Sequence, residues 1–488
     1  PAVAVLAPGL LGGLAGRALE RVPDTGNAFL ARSHVLAGVY YTAAVVLLAA
    51  LWASRNLVRS RWGRALTAVR ESDLAARASG IDPYRHRVGA FAVSAAVVGV
   101  AGWVGALRTL SVSSGSALDV QTESFRYVVA VAVGGAGTLA GPVVGAFALT
   151  FGLGLDIVQD RLRDRLGLAF GALALAVVAV APSGLVGGVR RGPLVRRGGG
   201  GPAPSEPSAG AGAGAGATAG AVPAVATVAR RPGADPGAPA LRVRGLCRSY
   251  GGVRALDGLD LDVAAGTVHA VVGPNGSGKS TLVDVVSGLV PATGGSVELH
   301  GRDVTALPAH RRTAAGMART FQAVRVWSRM SVLDNVLAGA HVRGSAGLGR
   351  CLLGLHRGEE RRLRGRAAAL CALVGLLGRE GEPAGALTLA EQRRLELARA
   401  LAAEPGVVLL DEPAAGLDAA EVEGLVAVIR SLKVVGMAVL VVEHRLDPVF
   451  SVADTVTVVH HGATLASGPP AQVAGDPGVR GAYLGPAV

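Results

Sequence analysis

Long apolar runs in the first 200 residues predict helices that span a membrane. Residues 34–54 and 88–107 contain no Asp, Glu, Lys or Arg, and each has about the 20 residues that a helix needs to cross a bilayer. The polar segment between them, residues 55–87, carries eight arginines and three acidic residues. Because basic loops remain on the cytoplasmic side, we expect this segment to face the cytoplasm.

Further apolar runs extend this pattern toward a multi-pass domain. Residues 127–156 are too long for one span and are interrupted by the glycine-rich stretch 134–142, so they predict a helical hairpin or two short spans. Residues 166–188 predict the last span. Residues 1–16 resemble the end of a truncated span, and we expect the chain to be incomplete at its amino terminus.

We therefore predict a helical membrane domain over residues 1–197. A buried soluble helical domain is the alternative, and it is disfavoured because the charged residues are confined to the loops.

The pattern changes twice after Arg197. Residues 198–240 consist mainly of Gly, Ala and Pro, a composition that cannot form a core and predicts a flexible linker. Over residues 241–488, short apolar strands alternate with helical segments, which predicts an α/β domain.

The charged stretch 343–366 is interpreted as the solvated face of a helical subdomain, with lipid headgroup contact as the alternative. The predicted fold class is multi-domain: a helical membrane domain followed by an α/β domain with a helical subdomain.

The net charge of +13 is located mainly in the membrane part. Residues 1–200 contain 20 Arg and 10 acidic residues, an excess of +10 from 20 − 10, and aromatic residues make up only 4% of the chain. Positive loops beside membrane spans explain this distribution, whereas nucleic-acid binding would require a basic patch with stacking aromatics on a soluble domain. The three cysteines have no metal-ligand spacing and predict free thiols in a reducing compartment.

The strongest local motif is a phosphate-binding loop. The apolar strand 268–272 is followed by Gly273-x-x-x-x-Gly278-Lys279-Ser280, a pattern whose backbone N–H groups cradle phosphate oxygens. Lys279 can reach the β- and γ-phosphates, and Ser280 can hold Mg²⁺. Only two of the 48 basic residues are lysines, and one stands here. The predicted nucleotide-binding residues are Gly273, Pro274, Asn275, Gly276, Ser277, Gly278, Lys279, Ser280 and Thr281.

Acidic residues and a histidine follow two other predicted strands. Asp411 and Glu412 stand at the end of the predicted strand "VVLLDEP", residues 407–413, and His444 at the end of "VLVVEHR", residues 439–445. Ligands of α/β proteins bind at the carboxyl ends of parallel strands, so these residues are expected near the phosphate loop. Asp411 would orient Mg²⁺ and Glu412 would polarise the attacking water. Taken alone, His444 would be interpreted as an ordinary loop histidine.

The order of these motifs resembles that of an ABC-transporter ATPase over essentially all of residues 241–488. The motifs also include Tyr250, "RTFQ" at 319–322, "LTLAEQRRLELARAL" at 387–401 and "GLD" at 416–418. The sequences "SYGGVRALDGLDLDV" and "GMARTFQ" are similar to those of the ATPase of branched-chain amino acid importers. In the membrane part, "GRALTAVRESDLAARASGID" and "VAVGGAGTLAGPVVGA" resemble the permease of the same importers.

This resemblance implies roles for further residues. Tyr250 would stack on the adenine of ATP, although it could equally be a packing residue. Gln322 would contact Mg²⁺ or the attacking water and couple the site to the permease. His444 would contact the γ-phosphate, and Asp418 would lie at a dimer seam. Residues 63–82 would form a coupling helix in a groove of the ATPase, with a merely solvated basic loop as the alternative.

One motif departs from the family pattern. The signature L-S-G-G-Q, which acts on ATP bound to the opposing subunit, is replaced by Leu387, Thr388, Leu389, Ala390 and Glu391. A methyl group at Ala390 would limit close backbone approach, and a carboxylate at Glu391 would repel a γ-phosphate. The resemblance therefore implies asymmetric hydrolysis, with the site built on Lys279 the faster one.

As a whole, the resemblance implies ATP-driven import of branched-chain amino acids across the cytoplasmic membrane, with the ATPase domain in the cytoplasm. Implied cofactors are ATP and Mg²⁺. Implied partners are a second permease subunit, a second ATPase subunit and an extracytoplasmic substrate-binding protein. Import of urea or short amides, a regulatory ATPase without transport, and export are the alternatives; the permease-like half disfavours the regulatory ATPase, and residues 63–82 disfavour export.

Overall fold

The computed structural model describes residues 28–109, 127–135, 137–152, 239–443 and 451–484. The chain divides into two compact units, one formed by residues 1–55 and 93–210 and the other by residues 56–92 and 211–488. The predicted span 166–188, nearly all of the predicted linker, and His444 lie outside the described residues.

Long apolar helices characterise the first unit. Helix Ala28–Val58 contains one stretch that is long and apolar enough to span a membrane, Gly38–Val58, and helix Pro83–Thr109 contains another, Pro83–Gly105. Large apolar side chains such as Tyr40 and Phe91 are more than 70% exposed on these helices. Helices that are apolar around their whole circumference are typical of membrane spans, in agreement with the predicted spans at 34–54 and 88–107.

The predicted break in the next apolar run is present. Residues 127–134 are helical, residues 137–140 form a turn, and a second helix occupies Gly141–Gly152. The two short helices approach so closely that a Cβ atom at Gly145 would lie 1.8 Å from the carbonyl oxygen of Ala130. Small residues permit this backbone-to-backbone packing in membrane helices.

The second unit contains two sheets. A four-stranded antiparallel sheet has the order β2-β1-β4-β5, and a six-stranded, mainly parallel sheet has the order β10-β9-β3-β8-β7-β6. The strands are β1 Pro239–Tyr250, β2 Val253–Ala264, β3 Val268–Val272, β4 Gly294–Leu299, β5 Arg302–Asp303, β6 Met317–Arg319, β7 Val407–Asp411, β8 Ala438–Val442, β9 Thr455–His460 and β10 Ala463–Gly468.

Helices surround these sheets, and two buried apolar clusters lie on opposite faces of the parallel sheet, because alternate residues of β7 and β8 belong to different clusters. Every residue of β3, β7 and β8 is buried, as expected for valine-rich central parallel strands. The α-helices of this unit, apart from the start of Pro83–Thr109, are Arg61–Glu71, Asp73–Ala78, Lys279–Val286, Ala309–Ala315, Val332–Gly339, Leu348–Leu352, Arg357–Leu373, Leu389–Leu401, Ala419–Val434, Pro470–Gly475 and Pro477–Leu484.

Residues 56–82 extend from the last turn of helix Ala28–Val58 to the start of helix Pro83–Thr109 and pack within the second unit; we call them the inter-span segment. Its small side chains, including Ala65, Ala68 and Ala75, are fully buried in one cluster with Phe321 and Trp327. Alanine methyl groups allow a helix to approach its neighbour closely. The interpretation of residues 63–82 as a merely solvated basic loop is therefore wrong.

A buried ion pair anchors this segment. Arg64 Nη1 and Nη2 donate to Glu360 Oε1 and Oε2 at 2.6 and 2.8 Å, and the two side chains are 7% and 12% exposed. Thr313 Oγ1 donates to the carbonyl of Ala78 at 3.0 Å. The charged stretch 343–366 is thus not simply a solvated face, because Glu360 within it neutralises a buried arginine of the inter-span segment.

Gly80, near the end of the inter-span segment, occupies a position that only glycine can adopt. Its φ of +79° lies in the left-handed region, and a Cβ atom at this position would lie 2.2 Å from Val342 Cγ1. Glycine is therefore required both by conformation and by space.

We expect Arg64→Ala to release the inter-span segment from the ATPase-like domain. Removing one partner of a buried pair leaves an uncompensated charge and costs about 3–5 kcal/mol. Hydrogen exchange of the amides in residues 61–78 of the purified full chain measures this effect.

Charge reversal supplies the control. The double variant Arg64→Glu with Glu360→Arg is expected to recover protection that each single change loses. Arg77→Ala, on the same segment but with a side chain 52% exposed, is expected to change protection little. Equal losses for Arg64→Ala and Arg77→Ala would contradict the anchoring role.

Candidate functional site

The phosphate loop lies where the sequence places it. It connects the buried strand β3 to helix Lys279–Val286, which begins at the predicted lysine. Gly278 caps this helix with a φ of +106°, and a Cβ atom at Gly273 would lie 2.2 Å from the carbonyl oxygen of Val459. Side chains other than hydrogen are excluded at both positions, so the loop can present its backbone N–H groups.

Lys279 points into this loop. Its Nζ donates to the carbonyl oxygens of Gly273 and Pro274 at 2.7 and 2.9 Å, and the residue is 6% exposed. Burial lowers the pKa of Lys279, while the carboxylates of Glu412 and Asp411 oppose that shift. The ammonium group is therefore held beside the acidic pair, where a phosphate group could compete for it.

Asp411, at the end of β7, has the features of a metal ligand. It is 3% exposed; Oδ2 accepts from Arg319 Nη2 at 3.4 Å, whereas no donor among the described residues reaches the buried Oδ1. Burial raises the pKa of Asp411 to about 6, although Arg319 opposes the shift. A buried carboxylate oxygen without a donor, together with the exposed Ser280 hydroxyl, fits the oxygen ligands that Mg²⁺ prefers.

Glu412 adopts a strained backbone conformation. Its φ is +44°, in the left-handed region, and its N–H donates to the carbonyl of Val442 at 2.9 Å. Its Oε2 accepts from Gln322 Nε2 at 3.0 Å. The structure thus brings together the two side chains predicted to contact the attacking water, although they are 90 residues apart in sequence. Strain of this kind is concentrated at functional sites.

Two arginines of the site were not predicted from the sequence. Arg319 is buried and donates to Asp284 at 2.7 Å and to Ser287 at 2.9 Å, besides Asp411. A charged residue in a short apolar strand needs an acidic partner, and that signal could have identified it. Arg393 donates through Nη1 and Nη2 to the main-chain carbonyls of Glu412 and Gln322. Nothing in the sequence distinguishes it from the adjacent Arg394.

The altered signature forms a complete helix cap. Thr388 caps helix Leu389–Leu401, and the Glu391 carboxylate accepts from the Thr388 N–H at 2.9 Å and forms an ion pair with Arg379. Burial opposes ionisation of Glu391, but these hydrogen bonds outweigh it and hold its pKa below the ordinary value. Ala390 is buried, 8% exposed.

These contacts change the expectation for the signature. The charge of Glu391 is neutralised within its own domain, and the methyl group of Ala390 packs inward. The ion pair with Arg379 therefore offsets part of the repulsion predicted for Glu391, and asymmetric hydrolysis stays a prediction.

Two further predicted residues, Tyr250 and Asp418, lie on other elements of the fold. Tyr250 ends β1 in the four-stranded sheet, is 46% exposed, and has the guanidinium of Arg248 4.5 Å from its ring centroid. Asp418 caps helix Ala419–Val434 by accepting from the N–H of Glu421 at 2.8 Å. His444 lies outside the described residues, directly after Glu443, which is buried.

Comparisons with known proteins agree with this arrangement. A family model described as "ABC transporter" matches residues 256–415, and one described as "Branched-chain amino acid transport system / permease component" matches residues 3–155. The chain is 37% identical over 255 residues to the high-affinity branched-chain amino acid transport ATP-binding protein BraF of Pseudomonas aeruginosa, and 35% identical over 255 residues to LivG of Escherichia coli K12. Each alignment covers 51% of this chain and 99% of the relative.

A solved structure is also similar. The crystal structure of a nucleotide-free ATP-binding cassette from an ABC transporter is 30% identical, with a TM-score of 0.45, and the match covers 51% of this chain and 99% of that one.

We expect Glu412→Gln and Lys279→Ala to have different effects on ATP. Glu412→Gln removes the base but keeps the shape of the side chain, so hydrolysis should fall by about 10²–10⁴-fold at this site while ATP binding persists. Lys279→Ala should instead weaken nucleotide binding. Single-turnover hydrolysis and fluorescent-nucleotide titration separate the two effects, and near-normal turnover of Glu412→Gln would exclude Glu412 as the base.

Proposed function

This chain belongs to the ABC transporters, joining a permease-type part and an ATP-hydrolysing domain, and from that premise we propose that it imports branched-chain amino acids across the cytoplasmic membrane. The observation that carries the proposal is the presence of both parts on one chain, with the inter-span segment packed on the ATPase domain. The substrate is inferred from the transport functions of the relatives BraF and LivG and from the permease family that the membrane part matches.

We propose that residues 1–197 form one multi-pass permease subunit and that residues 241–488 form the ATPase domain, connected by the linker 198–240. As a member of this family the chain is a membrane protein with a cytoplasmic ATPase, and it acts with partner subunits. The proposed partners are a second permease subunit, a second ATPase subunit and an extracytoplasmic substrate-binding protein, because an importer needs two of each half and a source of captured substrate.

At the ATP site, Lys279 and the loop from Gly273 to Thr281 are proposed to hold the phosphates. Mg²⁺ would be held by Ser280, Asp411 and Gln322, where it would neutralise charge on the phosphate oxygens. Glu412 would accept a proton from the attacking water, and Gln322, hydrogen-bonded to Glu412, would orient that water.

Other roles are proposed on the family pattern. Tyr250 would stack on adenine with its free face, since Arg248 lies near the ring. His444 would contact the γ-phosphate. Asp418 would lie near the seam between two ATPase domains. Leu387, Thr388, Leu389, Ala390 and Glu391 would face the ATP of the partner.

A short path of contacts supports coupling between ATP and the permease. Gln322 faces Glu412, and the preceding residue, Phe321, is buried in the cluster that contains the inter-span segment. Trp327 of the same loop belongs to that cluster, and Arg399 lies 4.7 Å from its ring. A movement of Gln322 on ATP binding would therefore displace the surface on which the inter-span segment rests.

Uptake into right-side-out membrane vesicles tests the proposal. Vesicles that contain the assembled complex and internal ATP should accumulate labelled leucine when the binding protein is added, and Glu412→Gln should abolish accumulation. Accumulation of urea without leucine would assign the amide alternative, and ATP-driven leucine efflux would overturn import.

Cysteine labelling tests the proposed topology. Single cysteines placed in residues 60–85 or 245–440 of a cysteine-free chain should react only from the cytoplasmic side, because the inter-span segment packs on the ATPase domain. Single cysteines in residues 110–122 should react from outside. External labelling of a cysteine near Gly80 would contradict both the topology and the coupling path.

A further inference from the structure

Arg393 joins two elements that act on different ATP molecules in an ABC dimer. It lies on helix Leu389–Leu401, whose first turn carries the signature that would face the ATP of the partner. Its side chain reaches back into its own domain, where Nη1 donates to the carbonyl of Glu412 at 3.2 Å and Nη2 to the carbonyl of Gln322 at 3.4 Å.

The two carbonyls belong to the residues whose side chains meet at the water-activating position. Glu412 Oε2 and Gln322 Nε2 are 3.0 Å apart, and Glu412 has a φ of +44°. A backbone in the left-handed region needs support from its surroundings when the residue is not glycine. A planar guanidinium holds its N–H donors in a rigid fork, whereas an ammonium group carries three donors on a single atom at the end of a flexible chain.

The position of the charge is specific. Arg393 is half-buried, and its Nε is buried without a hydrogen-bond partner among the described residues. Arg394, the next residue on the same helix, is exposed. Only the first of the two arginines is directed at the hydrolytic pair.

We propose that Arg393 is a positioning residue that transmits the state of the signature helix to Glu412 and Gln322 of the same chain. When ATP of the partner draws the signature inward, the helix carries the guanidinium with it and sets the two carbonyls, and with them the two side chains. Binding of ATP at one site would thereby control hydrolysis at the other. The inference rests on the proposed roles of Glu412 and Gln322 in the ATPase, and it does not depend on the transported substrate.

The test compares Arg393→Met with Arg394→Met in the assembled complex. We expect Arg393→Met to lower kcat for ATP by about 10- to 100-fold, as small misplacements of catalytic groups do, with KM for ATP within about threefold of the parent because the phosphate loop is untouched. Cooperativity between the two ATP sites should fall toward a Hill coefficient of 1. Arg394→Met should retain kcat within about twofold, because its side chain is exposed.

Arg393→Lys separates positioning from folding, since it keeps the charge but lacks the rigid planar fork that joins the two carbonyls. It should fall between the parent and Arg393→Met in kcat, with an unchanged thermal unfolding midpoint. Equal kcat for Arg393→Met and Arg394→Met overturns the proposal, as does a loss of kcat with unchanged cooperativity. Parallel loss of nucleotide binding and unfolding midpoint in both Arg393 variants also overturns it, because the role is then structural. Glu412→Gln is measured alongside, and its retention of turnover would point to a failure of the assigned catalytic role instead.

Discussion

The parallel pairing of β3, β7 and β8 is the constraint on which the ATP site depends. Adjacent parallel strands end at the same edge of a sheet, so the phosphate loop after β3 and the acidic pair at the end of β7 must meet there. All three strands are buried at every position. Polar groups at their ends are therefore held rigidly in a partly desolvated place, where a charge interacts more strongly than it does in water.

Burial of charge at this edge requires compensation, and arginines supply it. Arg319 forms ion pairs with both Asp284 and Asp411 from within the sheet and offsets part of their charge. Glu396 and Arg399, 2% and 3% exposed, form a buried pair on the signature helix, and Arg399 also donates to the carbonyl of Arg325. Such pairs contribute little net stability but fix the relative positions of the elements that carry them, because breaking them leaves a buried charge.

Buried contacts also connect the ATP site to the inter-span segment. The loop after β6 carries Gln322 at the site, while Phe321 and Trp327 lie in the buried cluster beneath the inter-span segment. Arg64 and Glu360 anchor that segment from the other side. This loop is thus in contact with Glu412 and with a segment of the membrane half that packs on the ATPase domain.

Local sequence was sufficient for the elements whose chemistry depends on neighbours in the chain. The phosphate loop requires glycine at fixed spacing and a lysine at the helix start, so Gly273, Gly278 and Lys279 were predictable. The two described spans were also predictable, because a span needs only an uninterrupted apolar length.

Contacts between distant residues were not predictable in the same way. The hydrogen bond of Gln322 with Glu412 and the pairing of Arg64 with Glu360 join residues 90 and 296 positions apart. The role of Arg393 depends on which of two adjacent arginines faces inward. The ion pair of Glu391 with Arg379, which offsets part of the expected repulsion, is also decided by three-dimensional packing. Sequence records which charges exist, but only the tertiary structure decides which of them are neutralised, because ion pairing depends on distance and burial rather than on order along the chain.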